Sequence, residues 1–336
     1  MNILVLMNEN YFGLYSPIRR ALTAMGHSTD IVEVGKETSF TYHNLVHRTY
    51  GLLSRSIFQR NIKSAHKSRK VSEILERTFA NKSYDIVIVN HPDILQAEQL
   101  DTIRKNSKHL IAHLWDSSGK EPRFFKHLNK FDKVLSFDPT DVKKYGFIPI
   151  TNYLDSSMNP LNATNSCEQD VFCIISYDKA RYRLMQNILD RNPSISFNFN
   201  AYFSSSRRMK YAQDKRINNI TTPMAPDHIK TILGKHKAIL DIGHNEQHGL
   251  SFRVIDSIGL QRKLITTNPH VRTSDIFHPN NTAVIDPGKP VIDKNFLDSA
   301  YVPQSEETIT KYHIDTWVTS FLDKAVGGQH QPHSIG

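Results

Sequence analysis

The sequence predicts an α/β protein of two consecutive domains, each a parallel sheet covered by helices. Short apolar runs alternate with helical stretches in both halves, and a polar segment rich in Asn, Ser and Pro divides them. The length of 336 residues also exceeds what one hydrophobic core fills, so two domains of about 150 residues are expected.

The first run, Asn2–Met7 (NILVLM), is almost continuously apolar, as a strand buried on both faces must be. Ser16 and Pro17 then open a helix, in which Ile18, Ala21, Leu22 and Met25 recur at helical spacing until Gly26. Further strands are expected at 30–34, 84–89 (YDIVIV), 109–115, 132–137 and 147–150, with a long basic helical region over 41–81. In the second half, strands are expected at 170–176, 196–202, 237–242, 263–267 and 282–285. Helices fall at 179–190, 206–215, 227–233 and 249–258. The expected division is a Rossmann-like domain at 1–155, a linker at 156–169, a second Rossmann-like domain at 170–305 and a closing helix at 306–325. That last helix is amphipathic through Ile309, Tyr312, Trp317, Phe321 and Leu322, and is expected to pack back on the first domain. Parallel sheets facing each other would place a ligand cleft between the domains, at the carboxyl ends of the strands.

Composition narrows the class. Hydrophobic residues make up 39% and charged residues 22%, too apolar for a disordered chain. No run approaches the roughly 18 apolar residues of a membrane span. The N-terminus has no basic stretch before its apolar run, so a cytoplasmic location is expected. Cys167 and Cys173 lack zinc-site spacing. The net charge of +9 is uneven, because 47–82 is dense in Arg and Lys. That stretch suits a polyanion, whether nucleic acid, an anionic membrane leaflet or an anionic glycan; a solvated helix face is the other reading.

The richest stretch for chemistry is 238–268, AILDIGHNEQHGLSFRVIDSIGLQRKLITTN. A buried strand ends at Asp241, a polar loop follows, and Gly249, Arg253 and Asp256 fall at spacings of four and three on one helix face. Helix-start N–H groups and Arg253 suit a diphosphate, and Asp256 suits ribose hydroxyls. An intrahelical Arg–Asp pair explains the same spacing. His244 and His248 stand in the loop before this helix, and Arg181 and Arg183 in the first helix of the second half. In the first half, Asp116 follows a strand, where a carboxylate can take a proton from a substrate hydroxyl or simply cap its loop. Asn8 and Glu9, then Asn90, His91 and Asp93, follow the first strand and the strand at 84–89, and turn or cap roles suit them equally. No Gly-x-Gly-x-x-Gly follows the first strand, no phosphate-loop motif occurs, and no Asp-x-Asp or clustered His/Cys set suggests a metal. No cofactor and no metal are therefore expected.

The stretch from Gly249 to Thr267 resembles the donor motif of GT-B glycosyltransferases, in which Gly-Leu opens a helix carrying an acid before an apolar strand ending in Thr. The helix is two residues longer than in that motif, Asp replaces Glu, and His248 stands eight positions before Asp256, with Glu246 the nearest candidate for the first acid. The resemblance implies nucleotide-sugar donor contacts at Glu246, Gly249, Leu250, Ser251, Arg253 and Asp256, joined by Arg181. Leu114-Trp115-Asp116-Ser117, 131–138, Lys144-Tyr145-Gly146 and 312–317 are similar to glycosyltransferases of capsule and lipopolysaccharide synthesis. They imply metal-free sugar transfer to a glycan or lipid-linked acceptor, with Asp116 and His244 as candidate catalytic groups and Asn8, Glu9, Asn90 and His91 near the acceptor. The basic stretch would then touch an anionic membrane peripherally. The rivals are a nucleotide-sugar epimerase of the same plan and a non-enzymatic polyanion or nucleic-acid binder, the latter without a helix-turn-helix or RNA-reading motif.

Overall fold

The computed structural model describes residues 1–9, 13–38, 62–158, 167, 169–244 and 247–327. The chain divides into two compact units, one of Met1–Asn10, Ile18–Ile150 and Phe321–Gly336, the other of Tyr11–Pro17 and Thr151–Ser320.

The first unit holds strands β1 (Asn2–Met7), β2 (Ser28–Glu33), β3 (Tyr84–Asn90), β4 (Ser107–Leu114), β5 (Lys133–Ser136) and β6 (Ile148–Pro149). They form one all-parallel sheet in the order β2-β1-β3-β4-β5-β6. Helices α1 (Tyr15–Ala24), α2 (Val34–Glu37), α3 (Ile62–Phe79), α4 (Ala97–Lys105) and α5 (Pro139–Tyr145) connect them. Parallel strands need crossovers, and helices cover this sheet, which is why β1 and β3 are apolar nearly throughout. Leu4, Leu6, Val71, Leu75, Val87, Leu100, Leu110 and Phe124 pack in one core on one face of this sheet.

The second unit repeats the plan. Strands β7 (Gln169–Ser176), β8 (Phe197–Tyr202), β9 (Ile217–Ile220), β10 (His236–Asp241), β11 (Lys263–Thr266) and β12 (Thr282–Val284) run parallel in the order β12-β11-β10-β7-β8-β9. Its helices are α6 (Lys179–Arg191), α7 (Pro226–Gly234), α8 (Phe252–Gly259), α9 (Lys294–Asp298) and α10 (Glu306–Tyr312); α11 (Ile314–Val326) contains the division between the units. Alternate residues of β7 serve two cores: Val171, Cys173 and Ile175 on one face, Phe172 and Ile174 on the other. Two parallel six-stranded sheets with helices are thus the α/β fold that the alternating pattern predicts.

Three local expectations are corrected. The stretch expected as a helix at 206–215 is a 3-10 turn, Ser206–Tyr211, followed by β9, whose Ile217 is buried beside β8. The closing helix is two helices, because Leu154 donates its N–H to the Tyr312 carbonyl (2.7 Å) and accepts from the Ile314 N–H (2.9 Å), which opens the chain at His313. The helix expected from Gly249 begins at Phe252, since the residues before it are pinned to neighbouring loops. Of the basic region at 41–81, α3 is described, whereas 39–61 lies outside the described residues, as do Glu246 and most of the expected linker.

Candidate functional site

Each sheet changes winding direction once. In the first, β2 lies to one side of β1 and the later strands to the other; in the second, β8 and β9 lie to one side of β7, and β10 to β12 to the other. Loops leaving the two strands at such a point diverge and leave a crevice at their carboxyl ends.

At the β7/β10 crevice of the second unit, Asp178 caps α6 by accepting from the N–H groups of Ala180 and Arg181, both at 3.0 Å. The Arg181 guanidinium donates to the Ser176 carbonyl at 2.7 Å, which holds it at the end of β7. His244 is half-buried and close enough that its charge acts on Asp178. Asp178 lies below the usual carboxylate range, chiefly because the Arg181 N–H bonds it. Asp241, the last residue of β10, is buried and accepts from the hydroxyls of Ser251 (2.8 Å) and Thr266 (3.0 Å). Burial pushes its carboxyl up, against those two hydrogen bonds.

These bonds fix the start of α8. The Asn268 amide donates to the carbonyls of His248 and Gly249, both at 3.2 Å, and the Asn152 amide donates to that of Leu250 at 2.7 Å. The Ser251 hydroxyl, committed to Asp241, makes no cap bond to the helix. The positive end of the helix dipole therefore starts beside β10 with no side-chain cap from Ser251.

Arg253 and Asp256, three residues apart on α8, pair directly. They also line a pocket of about 70 Å³ with Gly13, Tyr153, Asp155 and Lys230. Asp256 is buried, and burial raises its carboxyl to about 6 although Arg253 opposes the shift. The intrahelical pair and a place in the lining of this pocket thus occur together.

At the β1/β3 crevice of the first unit, Asn8 and Glu9 follow β1, and His91 follows β3. The Gly35 N–H donates to the Asn8 carbonyl at 2.6 Å, and a Cβ on Gly35 would lie 2.5 Å from that oxygen, so only glycine allows this approach. Asn90 is buried and its amide donates to the His113 carbonyl (2.8 Å), so it ties β3 to β4. His91 adopts φ +58°, which is uncommon for a residue with a side chain, and its Nδ1 lies 2.8 Å from the carboxylate of buried Glu121. The other Glu121 oxygen accepts the Asp93 N–H at 3.0 Å. Burial pulls the His91 imidazole down, but the hydrogen bond and charge of Glu121 outweigh it, and the group stands above its ordinary value. Asp116 is close enough to add to that effect and pairs with Lys120 at 2.7 Å. The sequence carries no signal for Glu121, which follows β4 only after the 3-10 turn Ser118–Lys120, whereas His91 directly follows β3.

Among the described residues no group of three or more His, Cys, Asp or Glu is placed to hold a metal ion. No helix among them is long and apolar enough to cross a membrane.

No family model and no curated protein matches the chain. Solved structures do match its fold. A glycosyltransferase from Rickettsia africae ESF-5 aligns over 96% of this chain and 97% of its own, with 12% identity and a TM-score of 0.55. Anabaena HepE, solved in complex with UDP and glucose, aligns over 96% and 98%, with 10% identity and a TM-score of 0.59. The UDP-GlcNAc 2-epimerase of Methanocaldococcus jannaschii, solved in complex with UDP-GlcNAc and UDP, aligns over 96% and 99%, with 10% identity and a TM-score of 0.51. The chain has the GT-B type of α/β fold found in such glycosyltransferases and epimerases.

Proposed function

We propose that the chain is a glycosyltransferase that takes a sugar from a nucleotide-sugar donor held by the second unit. The observation carrying this reading is the β7/β10 crevice, where Arg181 and His244 both act on Asp178, and Arg181 and Arg253, the second residue of α8, both act on Asp241. Cationic nitrogens and a helix start with no side-chain cap bond suit a diphosphate, and the fold is one in which HepE was solved with UDP and glucose.

In this reading the acceptor oxygen attacks the sugar's anomeric carbon and the bond from that carbon to the diphosphate breaks. The hydroxyl proton passes to a base of the first unit, and the nucleoside diphosphate leaves with its charge met by Arg181, Arg253 and the α8 dipole, without a metal. His91, oriented by Glu121, suits the base better than Asp116, whose carboxylate is engaged by Lys120. The acceptor is a growing surface glycan of the capsule or lipopolysaccharide kind, free or lipid-linked. The similar sequence words in both halves support that choice. The basic stretch running into α3 supports peripheral contact with an anionic leaflet on the cytoplasmic side.

A thermal-shift panel of UDP, GDP, CMP and dTDP tests the donor site, since a ligand at about 100 times its Kd adds about 2.7 kcal/mol. One nucleotide should stabilise the protein, Arg253→Ala and Asp256→Asn should shrink that response, and His91→Asn should stop transfer while leaving it intact. Parent-like responses from both α8 variants would place the donor elsewhere. The likeness to the M. jannaschii epimerase supports a second reading, epimerisation, and product formed from the donor sugar alone would select it.

A further inference from the structure

The first unit contains a second concavity, of about 190 Å³, whose walls come from three elements. Lys67 and Ser68 of α3 form one part, Gln96 at the start of α4 another, and Arg123, Lys126 and His127 in the 3-10 stretch after β4 the third. Among the described residues Asp93 is the one carboxylate in its lining. The charge balance is therefore positive before His127 is counted. Lys67 and Lys126 have no carboxylate partner among the described residues, and Arg123 has Asp93 alone.

The walls are tied together without a ligand. The Gln99 amide of α4 donates to the Ser68 carbonyl (2.8 Å) and the Ser72 hydroxyl (3.2 Å), while the Ser68 hydroxyl donates to Gln96 (2.7 Å). Asp93 accepts the backbone N–H groups of Phe124 (2.5 Å) and Arg123 (3.2 Å), and Phe124 is buried in the core. Lys67 and Lys126 line the same hollow with no carboxylate partner among the described residues, and keeping these like charges together is unfavourable. An anion relieves that repulsion, and walls set in advance lower the entropy lost on binding.

Hydrogen bonds through Asp93 link the wall of the hollow to the His91 loop. The Asp93 carboxylate fixes the Arg123 end of the wall, and the Asp93 N–H bonds the same Glu121 that orients His91. The geometry points to a seat for a phosphate group carried by the acceptor, so that the acceptor is a phosphorylated glycan or sugar rather than a neutral one. This inference rests on the first unit being the acceptor side.

Calorimetry on the whole protein at low ionic strength tests it, with inorganic phosphate, glycerol 3-phosphate, glycerol and vesicles of phosphatidylglycerol in phosphatidylcholine as probes. Glycerol 3-phosphate should bind saturably and glycerol should not. The Arg123→Gln/Lys126→Gln and Lys67→Gln proteins should each weaken that binding about tenfold or more while keeping the parent's response to nucleoside diphosphates. These side chains lie at the surface, and a melting temperature equal to the parent's confirms each fold. Parent-like binding by the variants would overturn the site. Response to inorganic phosphate without glycerol 3-phosphate, an adventitious ion only, would overturn it as an acceptor seat. Retention by vesicles with no saturable monoester binding would overturn it in favour of a membrane surface. A parent that answers no nucleotide but binds the monoester through these residues would sink the transferase reading and leave the phosphate site standing.

Discussion

A carboxyl buried beside a guanidinium is pulled two ways, and at Asp256 burial prevails: its folded value of about 6 lies above the ordinary 3.8. A raised folded value means that the stability this group contributes is complete below the ordinary pKa and is lost as pH rises through about 6. The whole swing is about 3 kcal/mol. Denaturant unfolding of the parent should therefore show the second unit weakening between about pH 4 and about pH 7, and Asp256→Asn should flatten that slope. Parallel curves for the two proteins would mean that Arg253 fully offsets the burial. The spacing of Arg253 and Asp256 was visible in the sequence because a helix converts three residues into one face. His91 and Glu121 were a different case. They stand 30 residues apart, and only the pairing of β3 with β4 brings their loops together.

Elements were legible where the apolar pattern was long and misread where a neighbour supplied the structure. NILVLM and YDIVIV announce β1 and β3, whereas β9 is INNI, two isoleucines around two asparagines, and it is a strand because β8 offers a free edge. Gly249 looks like a helix opener, yet α8 starts later, because the amides of Asn152 and Asn268, distant in the chain, hold the residues before it. The end of α8 has a stricter demand. A Cβ on Gly259 would lie 2.3 Å from a Leu154 methyl and 2.7 Å from the Met158 carbonyl oxygen. Gly259→Ala should therefore destabilise the second unit by about 1 to 3 kcal/mol, through overpacking rather than loss of helix propensity. A midpoint unchanged in urea would show that the 154–158 segment yields freely.

Over the whole molecule, both halves show the same αβ alternation and both sheets reverse their winding once, so the plan was readable from repetition even where single elements were not. What repetition hides is which unit the last residues serve. Lys133, buried at the start of β5, gives its ammonium hydrogens to the carbonyls of Lys324 and Gly327, and the Lys324 ammonium reaches the Pro149 carbonyl at 2.8 Å. Ending the chain after Ser320 removes those acceptors together with the buried Phe321, Leu322 and Ala325. The first unit should lose about 3 kcal/mol or more, seen as an earlier unfolding transition of that unit, and an unmoved transition would show that the tail is dispensable. The same stitching governs how the protein can be taken apart. No single scission yields two self-sufficient pieces, since the amino-terminal fragment leaves its final helical turns on the other. Joining 321–327 ahead of Met1 would return those turns to the first unit, while Tyr11–Pro17, which belong to the second, would still travel with it.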